Sequence, residues 1–148
     1  AQVAQNVATV PGTDGAKMSK SYKNTIDIFS DAKTLKKQCS SIITDSTPLE
    51  EPKDWQNCNI YAIAKLFLNE QEQANLQDRY SKGGEGYGHF KMYLNELTWN
   101  YFAPAREKFQ YYMNNQNEII EILNHGAKKA KKTSDEIMAK VRDAVGIY

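Results

Sequence analysis

The sequence predicts a mainly α-helical fold, a helical bundle preceded by a polar loop. Three observations support this prediction. Apolar residues recur at helical spacing through most of the chain after residue 30, no alternating strand pattern follows residue 11, and turn-forming residues are concentrated at 12–25. With 148 residues, 41% hydrophobic and 25% charged, the chain is long enough and apolar enough for one soluble domain.

The first forty residues contain one predicted helix. Residues 1–11 are rich in small and β-branched types and are interpreted as a loop or short strand, and residues 12–25 as a mobile Lys/Ser-rich loop. A helix is expected to start at Ser30 or Asp31, either of which can accept a capping hydrogen bond, and to run to about Ser40.

The middle of the chain carries two apolar stripes at i, i+3, i+4 spacing, separated by a short predicted helix over 70–81 and a glycine-rich connection. Pro104 is expected to kink or end the second helix and start another, because its ring clashes with the carbonyl four residues earlier. The stripe residues are Ile60, Ile63, Ala64, Phe67 and Leu68, then Phe90, Tyr93, Leu94, Leu97, Tyr101 and Phe102.

Two further helices are predicted beyond the one that starts at Pro104. The first is capped by Asn117 and stopped by Gly126, with His125 near its C-terminal dipole. The last spans roughly 127–145 with an apolar side expected to face inward, formed by Ile137, Val141 and Val145.

Hydropathy argues against a membrane-spanning protein, and cysteine spacing argues against the usual zinc-binding proteins. The formal charge is +1, and no apolar run is long enough to span a membrane. Residues 1–41 carry six Lys against three Asp, and residues 126–148 carry six bases against three acids, so any polyanion partner is expected at the ends. Cys39 and Cys58 lack zinc-site spacing, which favours two reduced, part-buried thiols and no metal site. We interpret the N-terminus as lacking a signal peptide, and the absence of an initiator Met suggests a piece of a longer chain.

Common catalytic motifs are absent from the pattern. Gly12 and Gly15 do not continue into a Walker A loop, and Gly84, Gly86 and Gly88 have the wrong spacing for a dinucleotide-binding loop. No spacing suggests a Ser/His/Asp or Cys/His arrangement. On pattern alone the chain shows no complete active site.

The segment Lys17-Met18-Ser19-Lys20-Ser21 is the exception. Two lysines three residues apart on a loop can present ammonium groups to one point, while hydroxyls and backbone N–H groups add hydrogen bonds to phosphate oxygens. Such a loop suits stabilisation of the charge that develops on a leaving pyrophosphate. For a generic pair of lysines the alternative, a solvated loop, is the better interpretation.

This segment matches the KMSKS signature of class I aminoacyl-tRNA synthetases without substitution. Its flanks, residues 11–15 and 22–26, resemble the bacterial tryptophanyl-tRNA synthetases, as do residues 43–47, 86–88, 101–106 and 141–146. The resemblance covers the whole chain but only about the C-terminal two-fifths of a family subunit. Two alternatives are carried forward: the related tyrosine enzymes, and a non-catalytic helical tRNA-binding or interaction module.

The resemblance implies an enzyme that activates tryptophan with ATP and Mg²⁺, releases pyrophosphate and charges tRNA(Trp). The family works as a cytoplasmic homodimer, away from membranes. By residue-to-residue correspondence Lys17 and Lys20 are the catalytic, pyrophosphate-contacting lysines, Met18 packs the loop, and Ser19 and Ser21 donate hydrogen bonds to ATP or pyrophosphate.

The same resemblance implies two domains. Residues 1–28 are the end of an α/β nucleotide-binding domain with the KMSKS loop, and residues 29–148 are a helical domain that binds the tRNA anticodon region. The HIGH motif, the strands of the sheet and most of the tryptophan pocket are missing from this sequence. We therefore expect the chain alone to be inactive and to bind no cofactor tightly.

Candidate RNA contacts lie in the C-terminal third. Four lysines share an arc of about 160 degrees on a helical wheel and could follow phosphates, although a solvated helix face is the preferred interpretation: Lys128, Lys129, Lys131 and Lys132. Trp99, Tyr111 and Tyr112 could stack on unpaired bases, but they also match the apolar stripe, and a core role is preferred.

Overall fold

A computed structural model describes residues 9–147, and within that range it contains helices and no strands. A short 3₁₀ helix at Lys20–Tyr22 precedes six α-helices, so the prediction of a mainly helical fold is confirmed. Residues 1–8 lie outside the described range, so the short strand considered there is not described. The helices are α1 (Ala32–Ser40), α2 (Asn59–Ala64), α3 (Glu70–Lys82), α4 (Tyr87–Tyr101), α5 (Ala103–Asn114) and α6 (Gln116–Val145).

Local signals start α1 and α3. Asp31 caps α1 by accepting a hydrogen bond from the Thr34 backbone N–H at 2.9 Å, as the sequence predicts. Asn69 and Glu72 form a capping box at the start of α3, each side chain accepting from the other residue's backbone N–H. The four N–H groups that a helix start leaves unpaired are partly satisfied in both cases.

The core lies where α1 and α2 pack against α4. Tyr80 of α3 stacks on Phe90 of α4 with ring centroids 3.8 Å apart, and the Tyr80 hydroxyl lies 3.6 Å from the Cys58 thiol. Both cysteines are free and buried, as predicted. The buried apolar side chains are Leu35, Cys39, Ile42, Cys58, Ile60, Tyr61, Ile63, Ala64, Leu68, Leu76, Tyr80, Phe90 and Leu94.

Glycine and proline set two of the helix boundaries. Gly83 and Gly84 follow α3 with φ of 69° and 77°, a left-handed backbone that favours glycine, and they lead into α4 after a short connection. Pro104 is the second residue of α5, which begins directly after α4 has ended, so the predicted break at Pro104 is confirmed.

The C-terminal third differs from its prediction. Gly126 does not stop a helix: α6 runs without interruption from Gln116 to Val145, preceded by Asn115 rather than Asn117. His125 therefore lies within the helix and not at a C-terminal dipole. One glycine costs a helix about 1 kcal/mol, and the Ala- and Lys-rich sequence that follows favours helix strongly enough to exceed this.

The chain divides into two compact units, one ending at Arg106 and the other beginning at Glu107. In the second unit the apolar residues predicted to face inward, Ile137, Val141 and Val145, are exposed, and so are Tyr111 and Tyr112. The core role preferred for these two tyrosines is therefore wrong. No helix in the described residues is long and apolar enough to cross a membrane.

Candidate functional site

The Lys17–Ser21 segment forms an ordered loop at the start of the described chain. Its two ends approach each other through an isolated antiparallel bridge between Pro11 and Lys17, and the Met18 N–H donates to the Val10 carbonyl at 2.9 Å. The part-buried Met18 side chain thereby anchors the middle of the loop, while the Lys17 side chain is exposed.

The second half of the loop is a single turn of 3₁₀ helix. The Ser19 side chain caps it by accepting from the Ser21 N–H at 3.2 Å, so the Ser19 hydroxyl proton remains available to a ligand. Lys20 and Ser21 are exposed in this turn, and Lys23 ends it in a left-handed conformation with φ of 55°.

Both lysines of the loop are exposed. Within the described residues, neither the Lys17 nor the Lys20 Nζ makes a hydrogen bond or an ion pair, although the backbone on either side of them is bonded. Two exposed cations on a hydrogen-bonded backbone are suited to a polyanionic ligand that arrives from solution.

Asn24 organises this loop, and sequence reasoning did not single it out. Its side-chain amide donates to the Asp14 carboxylate at 2.7 Å and to the Lys17 carbonyl at 3.1 Å, and its side-chain oxygen accepts from the Ser19 N–H at 2.8 Å. Asn24 lies within the polar loop and within the flank 22–26 that carries the resemblance, but neither observation identifies the partners of its side chain.

The loop is also attached to the helical part of the first unit. The Ile43 N–H, just after α1, donates to the Thr13 carbonyl at 2.8 Å. Gly15 has φ of 80° and lies so close to Asn59 that an added Cβ would be 2.8 Å from the Asn59 amide nitrogen. These two contacts seat the base of the loop on the segments that lead into the core.

A cavity of about 310 Å³ opens beside this seat. It is polar on one side, where the Tyr87 hydroxyl donates to Asp45 at 2.8 Å. Hydrogen bonds, first from Thr47, lower the pKa of Asp45, while burial and the neighbouring Asp45 raise the pKa of Tyr87. The cavity is lined by Ile43, Thr44, Asp45, Asn57, Cys58, Asn59 and Tyr87.

The other predicted site residues lie elsewhere in the chain. The four lysines of the proposed RNA face, Lys128, Lys129, Lys131 and Lys132, are exposed on α6 in the second unit, and Lys131 pairs with Asp135 at 2.9 Å. Trp99 is partly buried in α4, where the Arg106 guanidinium lies 3.7 Å from its ring centroid. Its face is thus already occupied.

Comparison with known proteins decides the family. A sequence model described as "tRNA synthetases class I (W and Y)" matches residues 2–103, more than half of the chain. The chain belongs to this family. In this class I (W and Y) tRNA synthetase chain, the signature motif Lys17–Ser21 is the loop whose backbone is hydrogen-bonded to Asn24.

Similar proteins in this family cover nearly all of the chain. The tryptophan–tRNA ligase of Campylobacter jejuni is 61% identical over 147 residues, which are 99% of this chain and 46% of that protein. The tryptophan–tRNA ligase of Fusobacterium nucleatum is 46% identical over 98% of this chain and 44% of its own length. The chain thus spans less than half the length of these curated relatives.

Solved structures agree with the sequence comparison. A crystal structure of the Campylobacter jejuni tryptophanyl-tRNA synthetase, complexed with ADP and tryptophan, matches with a TM-score of 0.92 at 61% identity and covers 99% of this chain and 46% of that one. A second crystal structure of that synthetase matches with a TM-score of 0.87 over 95% of this chain. The class I (W and Y) tRNA synthetase chain therefore shares its fold with part of a larger subunit.

Proposed function

We propose that the chain is the C-terminal part of a tryptophan–tRNA ligase, which activates tryptophan with ATP to tryptophanyl-adenylate and then charges tRNA(Trp). The observation that carries this proposal is the intact Lys17–Ser21 loop, whose backbone is fixed by hydrogen bonds and whose two lysines are exposed. Relatives at 61% and 46% identity are tryptophan–tRNA ligases, which favours tryptophan over the tyrosine alternative.

The loop's chemistry is electrostatic. When the tryptophan carboxylate attacks the α-phosphorus of ATP, negative charge develops on the departing pyrophosphate, and Lys17 and Lys20 stabilise that charge. Ser19 and Ser21 add hydroxyl hydrogen bonds, and Met18 anchors the loop on its part-buried side. Mg²⁺ enters with ATP.

The remaining elements of the proposal concern the whole protein. Residues 1–28 end the nucleotide-binding domain and residues 29–148 form the helical tRNA-binding domain. The full-length protein is this chain joined to the upstream part that its relatives carry. The upstream part supplies the HIGH motif and the tryptophan pocket. The full-length protein works as a homodimer in the cytoplasm.

Alanine substitution tests the role of the loop. In the full-length protein Lys17→Ala and Lys20→Ala should each lower the single-turnover rate of adenylate formation by about 100-fold, because each removes one cation aimed at the developing charge. The dissociation constant for tryptophan should stay unchanged. Lys33→Ala, which removes an exposed lysine from α1, is the matched control and should leave the rate unaltered. Unchanged rates for both loop variants would refute the assignment.

A further inference from the structure

Asn24 combines deep burial with a position beside an exposed loop. It is 2% exposed, whereas Lys20 to Lys23 before it are all exposed. Its side chain uses both amide hydrogens and the carbonyl oxygen, and its backbone carbonyl accepts from the Thr13 N–H at 2.9 Å. Each side-chain polar atom of this buried residue is therefore hydrogen-bonded.

Two of these bonds hold the backbone on either side of Met18. The Lys17 carbonyl and the Ser19 N–H are both bonded to Asn24, so the peptide units that carry the motif cannot rotate independently. The third bond, to Asp14, connects the loop to the preceding turn, in which the same carboxylate oxygen accepts from the Ala16 N–H at 3.0 Å. One side chain thus links three points along the loop.

The fit around Asn24 is tight. A Cβ on Gly12 would lie 2.4 Å from the Asn24 side chain and 2.6 Å from its backbone carbonyl oxygen, so this neighbour has no room for a larger residue. The site requires two donors and one acceptor in a short side chain. A carboxylate supplies no donor at neutral pH, and alanine supplies neither donor nor acceptor.

We infer that Asn24 is a positioning residue for adenylate formation: it fixes the backbone from which Lys17 and Lys20 reach the pyrophosphate. The inference rests on the proposed function. Lysine side chains are long and lose much rotamer entropy when they bind, so a rigid backbone beneath them limits the number of conformations to be searched. A displacement of about 1 Å in catalytic groups can cost roughly 100-fold in rate.

The experiment compares four variants of the full-length protein: Asn24→Ala, Asn24→Asp, the Lys17→Ala/Lys20→Ala double variant, and that double variant combined with Asn24→Ala. The Asp substitution preserves size and the acceptor for Ser19 while removing both donors, so it gives a second test if the Ala variant fails to fold. Asn75→Ala, at an exposed position on α3, is the matched control. The measurements are the single-turnover rate of adenylate formation, the dissociation constant of tryptophan and the melting temperature.

Positioning through the lysines predicts a specific pattern. Asn24→Ala and Asn24→Asp each lower the rate of adenylate formation by about 100-fold and leave tryptophan affinity unchanged. In the lysine double variant, adding Asn24→Ala lowers the remaining rate by less than about threefold, because the groups that Asn24 positions are already absent. The inference is overturned if the Asn24 variants form adenylate as fast as Asn75→Ala. It is also overturned if adding Asn24→Ala to the lysine double variant lowers the rate by the same factor as Asn24→Ala does alone. An unchanged rate in the lysine double variant instead refutes the proposed function.

Discussion

At the scale of single residues, Lys53 is a buried charge whose ammonium group is held by backbone carbonyls. Its side chain is 4% exposed, and its ammonium group donates to the carbonyls of Pro48, Leu49 and Glu51 at 3.1, 3.2 and 3.1 Å. Its backbone N–H donates to the Tyr80 carbonyl at 2.8 Å. Lys53 therefore fixes a proline-containing segment that has no regular secondary structure against the end of α3.

Glu85 and Arg79 form a partly exposed ion pair across the α3–α4 connection, with Arg79 Nε donating to a Glu85 oxygen at 3.0 Å. The hydrogen bonds from Arg79 lower the pKa of Glu85. A carboxyl group whose folded pKa is lowered stabilises the fold above its unfolded pKa, and the stabilisation is lost as pH falls through the folded value.

Glu85→Gln should therefore lower the free energy of unfolding by about 0.5–1 kcal/mol at pH 7, a small value because solvent screens the pair. The difference from wild type should shrink as pH falls below about 4. Urea unfolding at pH 7 and pH 3.5 measures this, with Glu96→Gln on the exposed side of α4 as control. A deficit of equal size at both pH values would contradict the assigned pair.

Among single residues, the sequence identifies the two lysines of the proposed site but not the asparagine that is bonded to their loop backbone. Lys17 and Lys20 belong to a contiguous motif, so their spacing was visible in the sequence. The partners of Asn24 lie five, seven and ten residues away and depend on how the loop backbone turns. Spacing carries no information about such contacts.

At the scale of elements, helix boundaries were predictable where one local group determines them. Asp31 has a side chain that caps, and Pro104 cannot continue a helix, and both boundaries were found. Gly126 was misjudged because its penalty is modest and the neighbouring residues decide the outcome. The exposed apolar side of α6 was also misjudged, since periodicity shows that a side is apolar but not what covers it.

The exposed lysines of α6 provide a prediction for this element. We propose that Lys128, Lys129 and Lys132 contact tRNA phosphates, together with Lys131, which also pairs with Asp135. Changing the first three to Gln in the full-length protein should weaken tRNA binding and reduce the salt slope by about 0.7–0.9 per lost contact, because fewer counterions are released.

The control removes the same charge from another helix, by changing Lys33, Lys36 and Lys37 of α1 to Gln. Fluorescence anisotropy with labelled tRNA at several salt concentrations gives both affinity and slope. If affinity and slope match the wild type, the lysines form only a solvated helix face.

At the scale of the whole molecule, the chain consists of a helical first unit that carries the Lys17–Ser21 loop and a second unit formed by the last residues of α5 and by α6. Both ends are basic and the middle is acidic. The relatives are more than twice as long as the matched region. We propose that the loop forms one side of an ATP site whose other side lies in the upstream part. The proposed function depends on this division of the ATP site.

Tryptophan-dependent exchange of pyrophosphate into ATP tests that division most directly, measured for the 148-residue chain alone and for the full-length protein. We expect exchange by the full-length protein and none above background by the chain alone, because this sequence lacks the HIGH motif and most of the tryptophan pocket that the lysines of the loop need. Exchange by the isolated chain, or no exchange by the full-length protein, would refute the proposed division of the site.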